Sequence, residues 1–192
     1  VNTGADMSKP AAEGSRGANY IEGAKLTFKD LTVCIGANAN YQGFIRAGEL
    51  AFDSCAIEGM GTYWGVGDVI FTNCEFKDNK DYSLWLYSGK NFVFENCSFT
   101  SSAGKFLHPY NEGSISLTVA IKNCSFENTS EAEESGKPIV NIKTQAVCNV
   151  SFEGDIKLVN IATGKQESKY FQVESDNGSV VLVDGEQVYP KN

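Results

Sequence analysis

Apolar and polar positions along the chain repeat as a short phrase. It reads aromatic or aliphatic, any residue, then Asn, Asp or Ser, then Cys or aliphatic, any residue, and a closing apolar residue. The phrase stands at Phe28-Lys29-Asp30-Leu31-Thr32-Val33, Phe52-Asp53-Ser54-Cys55-Ala56-Ile57, Phe71-Thr72-Asn73-Cys74-Glu75-Phe76, Phe94-Glu95-Asn96-Cys97-Ser98-Phe99 and Ile121-Lys122-Asn123-Cys124-Ser125-Phe126. A looser copy is Val147-Cys148-Asn149-Val150-Ser151-Phe152. First positions 28, 52, 71, 94, 121 and 147 are 24, 19, 23, 27 and 26 residues apart, the period of a solenoid with loops of unequal length. Within each unit the first apolar residue closes a short strand, and the Asn, Asp or Ser bends the chain by accepting left-handed backbone angles. The Cys or aliphatic residue and the last apolar residue lie two apart, on one face of the next strand.

Strands that bend in this way and return after one period pair in parallel as stacked coils. Equivalent residues then form ladders: Cys55, Cys74, Cys97 and Cys124; Ile57, Phe76, Phe99 and Phe126; and a bend ladder of Asn73, Asn96, Asn123 and Asn149. The apolar-x-Asn-Cys-x-Phe unit resembles the coil repeat of right-handed parallel β-helix proteins, the pectate-lyase-like superfamily. The resemblance implies an all-β, single-domain parallel β-helix of six to seven coils over residues 20–155. Residues 1–19, rich in Gly, Ala and Ser, read as a cap or linker, and 156–192 as a terminal coil with capping strands.

Further strands are legible at Gly43-Phe44-Ile45-Arg46, Thr62-Tyr63-Trp64-Gly65, Ser83-Leu84-Trp85-Leu86-Tyr87, Ile139-Val140-Asn141-Ile142, Tyr170-Phe171-Gln172-Val173 and Ser179-Val180-Val181-Leu182-Val183. Long insertions are expected around 101–114 and 128–137, the second acidic and solvated. No run approaches the roughly 18–20 apolar residues of a membrane span, and the first residues lack the basic-then-apolar pattern of a secretory signal. The chain therefore reads as a mature or excised segment of a larger parent protein.

Composition narrows the partners. Sixteen Lys and Arg face 24 Asp and Glu, a net charge of −8, and the arginines are Arg16 and Arg46. Such a surface is poorly suited to phosphates, so neither nucleic acid nor membrane is an expected partner. Of the six cysteines, the ladder residues Cys55, Cys74, Cys97 and Cys124 read as buried, reduced thiols, while Cys34 and Cys148 lie off the ladder and are assigned no state: ladder neighbours are about 4.8 Å apart and parallel, whereas a disulfide needs Cβ atoms about 3.8 Å apart and turned together. No Cys pair has zinc-ligand spacing, so no metal is expected. His108, the single histidine, has no reason to sit beside the thiols as the base of a Cys nucleophile. The sequons at Asn96, Asn123, Asn128, Asn149 and Asn177 are mostly by-products of the bend pattern.

Candidate chemistry lies in the aromatics. With Leu84 and Leu86 inward, Trp85 and Tyr87 face outward. Alignment on Gly48, Gly67 and Gly89 places Phe44, Tyr63 and Trp85 in one file and Arg46, Gly65 and Tyr87 in the next. Phe106-Leu107-His108-Pro109-Tyr110 extends that face, which suits sugar rings stacking on flat aromatics while hydroxyls bond polar neighbours. The alternatives are packing beneath the 101–114 loop or a one-residue slip that buries Trp85.

Enzymes of the superfamily imply other machinery. The hydrolase segments Asn-Thr-Asp, Asp-Asp, Gly-His-Gly and Arg-Ile-Lys do not occur. A lyase with Ca²⁺ would have to draw on Arg46 or Lys90 with Asp68, Asp78 or Asp81. Asp53, Glu75, Glu95 and Glu127 recur at outward positions because the repeat does. The expected function is thus a non-catalytic extracellular or cell-surface module of a bacterial protein, adhesin-like, binding glycans or a host ligand through Phe44, Tyr63, Trp85, Tyr87, Arg46, His108 and Tyr110. The alternatives are a polysaccharide lyase or glycoside hydrolase, and a purely structural stalk.

Overall fold

The structure, a computed structural model, describes residues 20–34, 46–59, 62–64, 67–77, 79, 81–87, 90–111, 115–130 and 136–191. The chain winds as a parallel β-solenoid with three sheets. The first stacks Tyr20–Lys29, Arg46–Asp53, Asp68–Thr72, Asn91–Glu95, Leu117–Lys122, Cys148–Glu153 and Val181–Val183 in chain order, and Glu186–Tyr189 folds back antiparallel on the last of these. The second stacks Thr32–Cys34, Ala56–Glu58, Glu75–Lys77, Ser98–Ser101, Ser125–Asn128 and Lys157–Val159, and the third Thr62–Trp64, Leu84–Tyr87, Leu107–Asn111, Val140–Thr144 and Phe171–Ser175. Five turns carry all three described strands, fewer than the expected six to seven.

The expected bend is present in detail. Asp30, Ser54, Asn73, Asn96 and Asn123 take φ of 51 to 56°, the left-handed region that short polar side chains tolerate best. Each bend amide donates to the residue before the next bend, as Asn73 N does to Glu95 O and Asn96 N to Lys122 O, both at 2.9 Å. The first and second sheets therefore meet at a corner of constant geometry.

Inside that corner the side chains stack rung on rung. Phe52 lies 4.8 Å from Phe71, which lies 5.2 Å from Phe94 with ring planes 2° apart. In the second sheet Phe76, Phe99 and Phe126 follow at 4.4 and 4.6 Å. The two ladders meet edge to face, Phe71 on Phe76 at 5.1 Å and Phe94 on Phe99 at 5.7 Å. Offset and edge-to-face ring pairs contribute about 0.5–1.5 kcal/mol each beyond the burial of their area. Cys55, Cys74, Cys97 and Cys124 fill the bend as buried free thiols, and Cys148 is likewise buried and free. The side chain of Cys34 lies outside the described part.

The sixth copy of the phrase falls elsewhere than the sequence placed it. Phe152, not Val147, pairs with Ile121, and Cys148 pairs with Leu117. The bend comes at Gly154, φ 73°, where a Cβ would lie 2.3 Å from Asn123 Oδ1. Asn149 thus belongs to a strand and not to the bend ladder. The apolar-x-Asn spacing recurred by chance five residues early, and glycine had taken the place of Asn.

Two substitutions separate core from bend. Phe94→Ala, at a fully buried position, is expected to cost about 3–5 kcal/mol in chemical denaturation. Exposed Asn96 makes its contribution through φ, so Asn96→Gly should be near neutral and Asn96→Val should cost about 1–3 kcal/mol.

Candidate functional site

The outer face of the third sheet gathers the chemistry. In the strand Leu84–Tyr87, Leu84 and Leu86 are fully buried in the core, so Trp85 points outward, as its alternation required. Leu107–Asn111 is the next strand of that sheet, with Trp85 opposite His108. It was expected as part of an insertion. On the following rungs Leu107 pairs with Val140 and Asn141 with Gln172. One outward row therefore reads Trp85, His108, Asn141 and Gln172.

The rings of this row pack together. Tyr82, just ahead of the strand, stacks on His108 at 4.3 Å, and Trp85 meets His108 edge-on at 4.6 Å and Tyr110 at 5.2 Å. Lys105 Nζ sits 5.4 Å from the Tyr82 ring centre and pairs with Asp81 at 2.7 Å. Trp85 and Tyr110 are half-buried, whereas His108 is 4% exposed.

Beneath and beside the rings runs a polar network. His108 Nδ1 lies 2.6 Å from Asn141 O, so this nitrogen carries the proton and donates. Asn141 Nδ2 donates to Tyr82 Oη at 2.6 Å and to Glu174 Oε1 at 3.2 Å, while Gln172 Nε2 donates to Asn141 Oδ1 at 3.1 Å and to Glu174 Oε1 at 3.2 Å. Glu174 reaches this cluster because the register slips at Ile142/Lys143: Ile142 pairs with Val173 but Lys143 with Ser175. Such a bulge re-aims the extra side chain.

Electrostatics follow from this packing. Burial pushes Tyr82 up to about 12 and holds His108 below the usual imidazole value. Burial also opposes the charge of Glu174, but hydrogen bonds from Lys137 and Asn141 and the charges of Lys137 and Lys143 outweigh it and hold the carboxyl below its usual value. Lys137 Nζ is 3.1 Å and Lys143 Nζ 3.8 Å from this carboxylate.

Of the residues singled out in the sequence, Trp85, His108 and Tyr110 meet here. His108 does so as part of the buried floor and not as an exposed ligand-binding residue. Arg46 opens a strand of the first sheet and not of the third. Tyr63 pairs with Leu86 and not with Trp85, and it is Trp64 that pairs with Tyr87. The glycine alignment caused that slip: Gly48 and Gly67 are rung neighbours so close that a Cβ on Gly67 would lie 1.8 Å from Gly48 O. The next residue in that file is Lys90, whose amide donates to Gly67 O at 3.1 Å, and not Gly89. Phe44 lies outside the described residues, as do the side chains of Arg46, Tyr63 and Tyr87.

Two of the aspartates considered for a lyase stand on different sheets. Asp68 begins a first-sheet strand and accepts from Asn91 Nδ2 at 2.6 Å, whereas Asp81 precedes a third-sheet strand; Asp78 lies outside the described residues. Among the described residues no group of three or more His, Cys, Asp or Glu side chains is arranged to hold a metal ion. Of the recurring outward acids, Asp53 pairs with Lys29 at 2.9 Å and Glu75 with Lys77 at 3.4 Å. No helix of the described residues is long and apolar enough to cross a membrane. Tyr82, Asn141, Gln172 and Glu174 were not singled out. Asn141 and Gln172 carried a signal all the same, each being a lone polar residue between apolar ones in a strand already legible.

The stacked parallel coils, three sheets and inward ladders define a β-solenoid. Residues 13–126 match the family described as right handed beta helix region, and the chain belongs to that family. No curated protein and no solved structure matches it.

The low value of buried His108 gives a pH signature. Above about 6.5, the ordinary value, the imidazole is neutral in both folded and unfolded chains. As pH falls below this the unfolded chain binds the proton first, and stability is lost until the folded value is passed. Between pH 7 and 5 the melting temperature of the native chain should fall more steeply than that of His108→Gln, measured by thermal unfolding at constant ionic strength.

Proposed function

We propose that this chain is a non-catalytic module of a secreted or cell-surface protein that binds glycans on the outer face of the third sheet. The observation that carries the reading is the pair Trp85 and Tyr110, half-buried, edge to face at 5.2 Å, resting on a floor whose polar groups bond one another. Rings fixed in this way offer a flat apolar surface to the C–H face of a sugar at little cost in side-chain entropy. Glu174 and Lys143 at the edge supply an acceptor and a donor for hydroxyls.

The same network favours binding over cleavage. Glycoside hydrolysis needs a carboxylic acid held protonated by a raised pKa, and Glu174 is held the other way. His108 spends Nδ1 on a backbone carbonyl.

A glycan array probed with the full chain tests the proposal. Trp85→Ala and Tyr110→Ala should each weaken the retained glycan by about tenfold or more, roughly 1.4 kcal/mol, with the melting temperature little changed. Retention of no glycan, or equal retention by native chain and variants, overturns it.

A further inference from the structure

We propose that Asn177 is a self-modifying site: Gly178 N closes on the Asn177 carboxamide to give a succinimide, which water opens to aspartate or isoaspartate. The site lies in the turn between Phe171–Ser175 and Val181–Val183 and is independent of the glycan reading.

This turn is clamped at its base and open at its tip. Ser179 N donates to Asp176 Oδ2 at 2.9 Å, and Ser179 Oγ accepts from Cys148 N at 2.8 Å, which leaves Ser179 1% exposed. Between the clamped residues, Asn177 and Gly178 are both exposed. The Asn177 carboxamide bonds to no partner among the described residues. Gly178 takes φ of 81°, and a Cβ placed on it would find no heavy atom beyond its chain neighbours within 4 Å. With no side chain on the attacking residue and open space around it, the backbone nitrogen reaches the carboxamide carbon through rotations that cost little.

Other positions lack this combination. Asn177-Gly178 is the one Asn-Gly pair in the chain. The bend asparagines Asn73, Asn96 and Asn123 are each followed by a buried cysteine, whose Cβ crowds the attack. Their own amides are tied to the next coil, as Asn73 N is to Glu95 O at 2.9 Å. Asp184-Gly185 carries the same glycine, but Asp184 Oδ1 is held by Gly154 N at 3.0 Å, and an ionised carboxylate offers no leaving group.

In the first step a bond forms from Gly178 N to Asn177 Cγ, and the Cγ–Nδ2 bond breaks. The amide proton passes through solvent to Nδ2, which leaves as ammonia. Water then adds at Cγ, restoring the main chain with an aspartate, or at the main-chain carbonyl carbon, leaving the chain to run through Cβ and Cγ. Water is the sole co-reactant and no oxidation state changes. Either product sets a carboxylate beside Asp176, and the second also lengthens the main chain by one carbon–carbon bond of about 1.5 Å. The clamp fixes the entry to Val181–Val183, on which Glu186–Tyr189 closes the first sheet, so the longer turn loosens that closure.

The test is to incubate the folded full chain in mildly alkaline buffer, map its peptides by mass and label isoaspartate with an isoaspartyl methyltransferase. Asn177 should be lost about tenfold faster than any other asparagine, as a mixture of aspartate and isoaspartate, and Gly178→Ala should slow that loss about tenfold. The rate should rise about tenfold per pH unit, following ionisation of the attacking amide. The isoaspartyl chain should melt lower than Asn177→Asp, which carries the charge without the extra bond. Asn177 intact after other asparagines have changed, aspartate without isoaspartate, an unchanged rate in Gly178→Ala, or equal melting temperatures overturns the proposal. The first two results are read on the unsubstituted chain, so they decide the matter even where a variant fails to fold.

Discussion

The left-handed residue at each first-to-second-sheet corner is the constraint on which the rest of the molecule depends. One positive φ per coil turns the strand sharply enough that the apolar residues on either side, such as Phe94 and Phe99, face each other across the corner at 5.7 Å. Because the turn is the same on each coil, the rungs stay in register and the rings stack with planes within 10° along most of each ladder. Asn, Asp and Ser bear that angle at low cost and leave their amides free for the next rung. The buried thiol fits because the bend leaves room for a small apolar group and no more.

Register set at one corner is inherited by the third sheet, whose own sequence is far less regular. Nothing in Leu84–Tyr87, Leu107–Asn111, Val140–Thr144 and Phe171–Ser175 repeats as a motif, yet they stack because each is delivered by a ladder-locked coil. That freedom allows the outward row to vary from Trp85 to His108 to Asn141 to Gln172 while the inward row stays aliphatic or aromatic. The face so built is chemically diverse on a rigid support, the arrangement in which binding groups are held best.

This division also explains what could be read from the chain. The ladders Phe52–Phe71–Phe94 and Phe76–Phe99–Phe126, the five left-handed bends and the outward direction of Trp85 follow from spacing alone, because a two-residue period and a fixed bend leave one solution. The sixth coil was misread because Gly154 performs the bend without the Asn-Cys signature and Val147-Cys148-Asn149 imitates it. Tyr63 was misfiled because a lysine, Lys90, follows Gly48 and Gly67 in the stack, which made Gly89 the false match. His108 was read as a ligand-binding residue of the face because its burial depends on Tyr82 and Asn141, and Asn141 is 33 residues further along the chain. Glu174 depends on a one-residue bulge that no local pattern announces.

The bulge at Glu174 shows how such a face acquires its polarity without unsettling the core. An in-register third-sheet strand would place residue 174 opposite Lys143, one rung position beyond the Asn141–Gln172 pair. The extra residue brings a carboxylate within 3.2 Å of both amides and within 3.1 Å of Lys137. Val173, next to it, stays 8% exposed on the core side. A charge set among half-buried rings would be costly alone; three hydrogen-bond donors, the Lys137 ammonium among them, and the nearby ammonium of Lys143 hold it ionised, and its hydrogen bonds fix Asn141, which in turn orients His108 and Tyr82. The rigidity of the Trp85–Tyr110 surface thus rests on a single inserted residue in the last full coil.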